Sequence, residues 1–279
     1  REQPSGRCPR VGPARRGVHW GPIPPGITRG VLPGMFVGLL FGRPELRAAL
    51  RPRMHEWGHT LALLRTGLPM LAAAMAEVTL FQANSLEAAR LGNSALAAFQ
   101  IMLGIGMQFF VLYLALGQAC NIRIGYWTGR GDPTMVRRTA WAGMILGIVT
   151  ASLATAALAA GRYPIIGCYL DMAQPGNAEA VQMALTLLLV GAAFQIPAAV
   201  QVVATGILRG QGDTALPMVL AIIGYWGIGF PSGVSLAFHH GMGPAGLWCG
   251  IGIGLVSVFT LHGMRILWRM RKQTHRAPA

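Results

Sequence analysis

Glu77 is a carboxylate inside the apolar run from Leu61 to Leu86, an expensive place for a charge. Counted from Arg65 it lies about 18 Å along a helix rising 1.5 Å per residue, just past the middle of a hydrocarbon core. A charged carboxylate there costs roughly 2.5–3.5 kcal/mol on insertion scales and more by other estimates. A sequence that keeps it either holds the acid neutral or supplies a cation, so Glu77 is the predicted cation- or proton-binding residue. The plainer alternative is a protonated Glu bonded to a neighbouring helix. Asn84 falls on the same helical face, and in the next apolar run Gln100, Gly104, Met107, Val111, Leu114 and Gln118 share a face, with Gln108 beside it. Amides of this kind either glue helices together or wall a cavity suited to large amphipathic cations. On the second reading the substrate-cavity candidates are Phe81, Asn84, Gln100, Gln108, Phe194, Gln195 and Gln201.

A zinc-protease pattern, H-E-x-x-H, occurs once, at His55-Glu56-Trp57-Gly58-His59. Two His one turn apart with a Glu general base are its chemistry. Here Gly58 weakens the helix, the segment sits in a basic linker, and no third ligand is in reach by sequence. A membrane metalloprotease is therefore the remote alternative, and no metal site is predicted. His239-His240 has no supporting Glu. The four cysteines (Cys8, Cys120, Cys168, Cys249) show neither metal nor disulfide spacing and read as packing residues. No cofactor is expected.

These residues require membrane helices to position them. The chain has 279 residues, 53% hydrophobic and only 11% charged, with a mean hydropathy of +0.48. A hydrocarbon core of ~30 Å needs about 20 apolar residues, and six runs qualify: 61–86, 95–121, 136–160, 181–208, 215–238 and 245–268. The predicted fold class is thus all-α, a polytopic six-transmembrane-helix bundle. Net charge is +14, yet the arginines crowd the first 65 residues, the loops and the tail, with no basic face interleaved with aromatics. That pattern excludes nucleic acid as a partner and fits a lipid bilayer. Alternate loops divide Lys and Arg 21 to 2, which predicts a multi-pass protein of the inner (plasma) membrane with both termini cytoplasmic.

Local signals fill in the detail. Pro197 interrupts the fourth run, removing a donor and leaving the Ala193 carbonyl without its usual partner. Two connections resemble one another. Gly129, Asp132 and Pro133 follow the second run, and Arg209, Gly210, Gly212 and Asp213 follow the fourth. In each, glycine ends one helix and Asp (or Thr214) is placed to cap the next, while Arg209, Arg137 and Arg138 are expected at the lipid headgroups. Residues 1–42 are a basic Gly/Pro-rich segment without assignment, whose apolar run, Val31 to Gly42, is too short to span; it reads as an interfacial piece or the remnant of a preceding helix. Residues 43–60 form a cytoplasmic linker and 269–279 a basic cytoplasmic tail. No signal-peptide pattern is present. Because the chain opens on Arg1 rather than Met, it is expected to be a fragment.

From about Trp57 to Arg271 the chain resembles the C-terminal half of a MATE (multidrug and toxic compound extrusion) transporter, close to the NorM group. The resemblance is carried by Gly67-Leu68-Pro69, Glu77-Val78-Thr79-Leu80-Phe81, Ala97-Ala98-Phe99-Gln100-Ile101, Gly206-Ile207-Leu208-Arg209-Gly210, Gly224-Tyr225-Trp226-Gly227 and Gly243-Pro244-Ala245-Gly246-Leu247-Trp248. It implies two six-helix lobes, of which residues 61–268 would be the second, with the N-terminal lobe missing. It also implies antiport of small cationic substrates against protons or sodium, with no enzymatic activity. Glu77 matches the coupling carboxylate of this lobe. The family's companion Asp falls at Ala198, a Tyr at Phe194 and a His at Phe99. Losing those oxygens leaves too few ligands for a dehydrated sodium ion, so the expected coupling ion is H⁺, with Na⁺ second. A non-transporting membrane remnant or assembly partner is the competing reading.

Overall fold

The computed structural model describes residues 25–42, 57–172 and 174–274. His55 and Glu56 of the zinc-like match, residues 1–24, 43–56 of the linker, and 275–279 of the tail lie outside the described residues. Every regular element among the described residues is helical. The chain divides into two compact units, residues 1–62 and 63–279. In the first, the short apolar run extends back into a helix, α1 (Pro25–Gly42).

The lobe follows. Its elements are α2 (Trp57–Arg90), α3 (Asn93–Gly129), α4 (Pro133–Ala160), α5 (Arg162–Tyr169), α6 (Ala178–Ala193), α7 (Gln195–Gly210), α8 (Ala215–His239) and α9 (Gly243–Thr274). Among the described residues five helices are long and apolar enough to cross a membrane, and α6 with α7, bent by 45°, makes a sixth, broken span when counted as one. The break falls at Phe194, three residues before Pro197. This is where it should fall, because the proline ring displaces the carbonyl four residues back. The span pattern does not predict α5, an 8-residue helix in the connection after α4. It also does not predict that α8 is wound as a π-helix over Ile223–Gly229 and again over Ser235–His239. Such segments shift the face that following side chains present and recur at functional sites.

Close backbone contact sets the packing. Small residues let membrane helices approach without side chains between them. A Cβ on Gly250 of α9 would run into the backbone of Gly233 on α8, and one on Gly206 of α7 into the backbone of Gly117 on α3. The core behind these contacts is built from Phe99, Met102, Leu187, Leu188, Tyr225 and Leu247, each 0–1% exposed. Leu63, Leu64, Leu68, Leu71 and Met75 of α2 are instead all at least half exposed.

Gly250→Ala should therefore destabilise the lobe by about 1–3 kcal/mol, the usual penalty of overpacking. Gly104→Ala, where nothing lies within 4 Å, should be neutral or gain up to ~1 kcal/mol of helix propensity. Thermal unfolding of the two purified variants in detergent checks the order, and equal midpoints would refute it.

Candidate functional site: a polar cavity around Glu77

Glu77 sits on the inner side of α2, partly buried, in a cavity of about 380 Å³ walled by α2, α7, α8 and α9. The π segment of α8 turns Tyr225 toward it, and the phenol donates a hydrogen bond to Glu77 Oε1 at 3.3 Å. The next residue fastens the same wall, with Trp226 Nε1 donating to the Ala76 carbonyl at 3.1 Å. From α7 come Gln201, Thr205 and Arg209, one helical turn apart, and from α9 comes His262, 1% exposed. Thr205 Oγ1 lies 2.9 Å from the Gln201 carbonyl and 3.3 Å from His262 Nδ1. His262 Nε2 lies 3.1 Å from the Pro217 carbonyl. Gln201 Oε1 is a buried acceptor without a protein donor, so the cavity has lone pairs to spare for a proton or water.

Arg209 faces inward. It stands in the last turn of α7, lines this cavity and interacts electrostatically with Glu77. A guanidinium lining the same cavity gives the carboxylate an opposite charge nearby, the condition under which intramembrane charges persist.

A second cavity, about 550 Å³ and almost wholly apolar, opens where α6 breaks into α7. Phe81, Phe194 and Gln195 line it with Met107, Tyr113 and Trp248. Gln195 is not a free amide there: it is buried, and its Oε1 accepts from Tyr113 at 2.7 Å. The ring of Phe194 packs onto Gly252, filling the space a Cβ would take.

The predicted cavity residues are thus divided. Glu77 and Gln201 share the polar cavity, while Phe81, Phe194 and Gln195 share the apolar one. Asn84 joins neither; it is buried near Gly233, with Nδ2 donating to its own helix at Leu80. Gln100 and Gln108 lie on an exposed face of α3 with Gly104, Val111, Leu114 and Gln118. Thr205 and His262 were not singled out by sequence, and Tyr225 only as part of a motif carrying the resemblance, without a role at the site. His262 carried a usable signal, an ionisable side chain within the last apolar run, where such residues are rare and functional by default.

The two similar connections use one backbone design. Gly131 (φ 69°) and Gly212 (φ 72°) take the left-handed conformation, and the following Asp donates its N–H five residues back, to Trp127 (3.1 Å) and Leu208 (3.0 Å). That is a Schellman close. The side chains then diverge. Asp132 caps α4, accepting from Met135 N at 3.0 Å with Pro133 at the first helical position. Asp213 makes no cap, contrary to expectation. Its Oδ2 accepts from Arg265 Nε and from Arg269, both at 2.8 Å, tying the α7–α8 turn to the end of α9.

An all-helical bundle with a broken span and one intramembrane carboxyl defines a lobe of a polytopic membrane transporter fold. The MatE family model matches residues 69–234, and the chain belongs to that family. It is 42% identical over 241 residues to the multidrug resistance protein NorM of Burkholderia vietnamiensis, a match covering 85% of this chain and 51% of that one. It is 37% identical to the probable multidrug resistance protein NorM of Brucella suis, covering 84% and 51%. Among solved structures it superposes on the eukaryotic MATE transporter AtDTX14 with a TM-score of 0.74 at 20% identity, covering 90% of this chain and 57% of that one. The chain spans about half the length of the curated relatives it matches.

Asp213→Asn should lower stability by about 2 kcal/mol, as befits a charged acceptor lost from two charge-assisted bonds. Asp132→Ala, which removes only a helix cap, should cost ~1 kcal/mol. Thermal unfolding in detergent reads both; a larger loss at Asp132 would contradict the assignment of the ion pair.

Proposed function

We propose that this chain is the C-terminal lobe of a proton-coupled multidrug antiporter that extrudes cationic amphipathic compounds across the inner (plasma) membrane. The observation that carries the reading is Glu77, held by Tyr225 in a polar cavity within an otherwise apolar bundle. The kinship with NorM proteins supports it. Protonation of Glu77 turns its carboxyl from an acceptor only into a donor as well. That changes what it can offer Tyr225 and how strongly it holds Arg209, and so links ion occupancy to the relation between α2 and its neighbours. The aromatic and methionine lining of the apolar cavity supplies ring faces and polarisable sulfur for a hydrophobic cation. Alternating access in transporters built from repeats works by rocking one repeat against the other around a shared site. The lobe would supply half of that site, with the exposed amides Gln100 and Gln108 turned toward a first lobe. The 21 to 2 division of basic residues supports cytoplasmic termini.

Proton coupling is preferred to sodium because Ala198 and Phe194, where the resemblance places an Asp and a Tyr, supply no oxygen ligand and line the apolar cavity instead. The same two residues favour the second reading, a lobe that has lost transport and serves as an assembly partner. In a protein completed with a first lobe of the family, Glu77→Gln should reduce ethidium or norfloxacin efflux to the background of cells without the gene. Ala198→Asp should make efflux sodium-dependent. Full efflux in Glu77→Gln would sink the proposal, and no efflux from the unsubstituted protein would favour the second reading.

A further inference from the structure

His262 is an ionisable side chain of the polar cavity, 1% exposed, and nothing above uses it. Its two nitrogens have unequal partners. Nε2 faces the Pro217 carbonyl at 3.1 Å, and a carbonyl can only accept, so Nε2 must carry a hydrogen. Nδ1 faces a hydroxyl, Thr205 Oγ1, at 3.3 Å, and a hydroxyl can donate or accept. When the ring is neutral, Thr205 donates to Nδ1. When Nδ1 is protonated, Thr205 accepts from it and turns its own hydrogen to the Gln201 carbonyl, already 2.9 Å away. The second lone pair of Oγ1 is served by Gln201 Nε2 at 3.4 Å. Both charge states of the ring are therefore satisfied by rotating one hydroxyl, with no heavy atom displaced.

We propose that His262 is a second proton-binding group of the Glu77 cavity, taking its proton on Nδ1 while Thr205 acts as a two-way hydroxyl switch. In the step itself, a hydronium ion entering the cavity gives its proton to Nδ1 and leaves as water. The Thr205 hydrogen bond to Nδ1 breaks, and a Thr205 bond to the Gln201 carbonyl forms. The charged and titratable groups around the ring are Glu77 on α2, Arg209 on α7, Tyr225 on α8, and Asp213 in the turn with Arg265 and Arg269. Of the two anions Asp213 is ion-paired to Arg265 and Arg269, whereas Glu77 has no arginine at hydrogen-bonding distance and shares the cavity with the ring. Two groups sharing one cavity titrate as a linked pair, and the cavity then stores a proton on either of two side chains. The inference rests on reading the cavity as the coupling site, yet its test needs no transport.

The test is ¹⁵N-histidine NMR of the full chain in lipid nanodiscs, with the other six of its seven histidines changed to Gln. The unsubstituted chain minus its His262→Gln variant gives the same signal if the multiple substitution unfolds the protein. Between about pH 9 and about pH 4, Nε2 should stay protonated while Nδ1 gains a hydrogen. The Nδ1 midpoint should move by roughly half a pH unit or more in Glu77→Gln, the signature of linked sites, and also in Thr205→Val but not in Thr205→Ser. A ring that only ties α9 to α7 and α8 would keep Nδ1 bare throughout, and that result overturns the proposal. A midpoint indifferent to Glu77→Gln overturns the link to Glu77. The efflux reading fails separately, by transport surviving Glu77→Gln.

Discussion

Hydrocarbon offers no water to a polar group, so a carboxyl placed mid-span must find every partner inside the protein. Much of this lobe follows from housing Glu77. Four helices line its cavity: α8 gives Tyr225, α7 gives Arg209 and Gln201, α9 gives His262, and α2 carries the acid itself. They converge because glycines bring the backbones close. Where Gly233 meets Gly250, α8 and α9 touch without intervening side chains, leaving the longer polar residues to fill the wedge toward α2. The π turn at Ile223–Gly229 then aims Tyr225 at Glu77 while Gly229, at its end, still packs against α9.

The broken span serves the same end. A straight α6–α7 helix would carry one face along its whole length. The bend at Phe194 separates an upper segment, which closes the apolar cavity, from a lower one, which presents Gln201, Thr205 and Arg209 at helical spacing to the polar cavity. Beside the break the Ala192 carbonyl accepts from Thr155 Oγ1 of α4 at 3.0 Å, which ties this part of the span to the bundle. A break of this kind facing lipid would leave unsatisfied groups costing several kcal/mol each.

What could be read from sequence, and what could not, divides along one physical line. Local features were legible. Six spans, the break announced by Pro197, and the cap at Asp132 each depend on a few neighbouring residues. Glu77 stood out because a charge in an apolar run has no cheap explanation. Asp213 shows the limit. Its turn matches that of Asp132 in backbone, yet its side chain is claimed by Arg265 and Arg269, some fifty residues on, which no local pattern reveals. Periodicity likewise grouped Gln100 with Gln118 on one face of α3 but could not say that this face turns outward. The place of Tyr225 and His262 at the site was hidden for a third reason. Their meeting with Glu77 depends on interhelical distances and on a π register that the sequence does not display.

The central claim is that the Glu77 carboxyl is a proton-binding group in a site screened from bulk solvent. Dicyclohexylcarbodiimide tests it directly, since this apolar reagent adds to protonated carboxyls in apolar surroundings. Mass spectrometry of the purified chain after brief exposure should place the adduct on Glu77 and show labelling that falls as pH is raised. An adduct confined to surface acids such as Glu87 or Glu179, or labelling of Glu77 indifferent to pH, would contradict it.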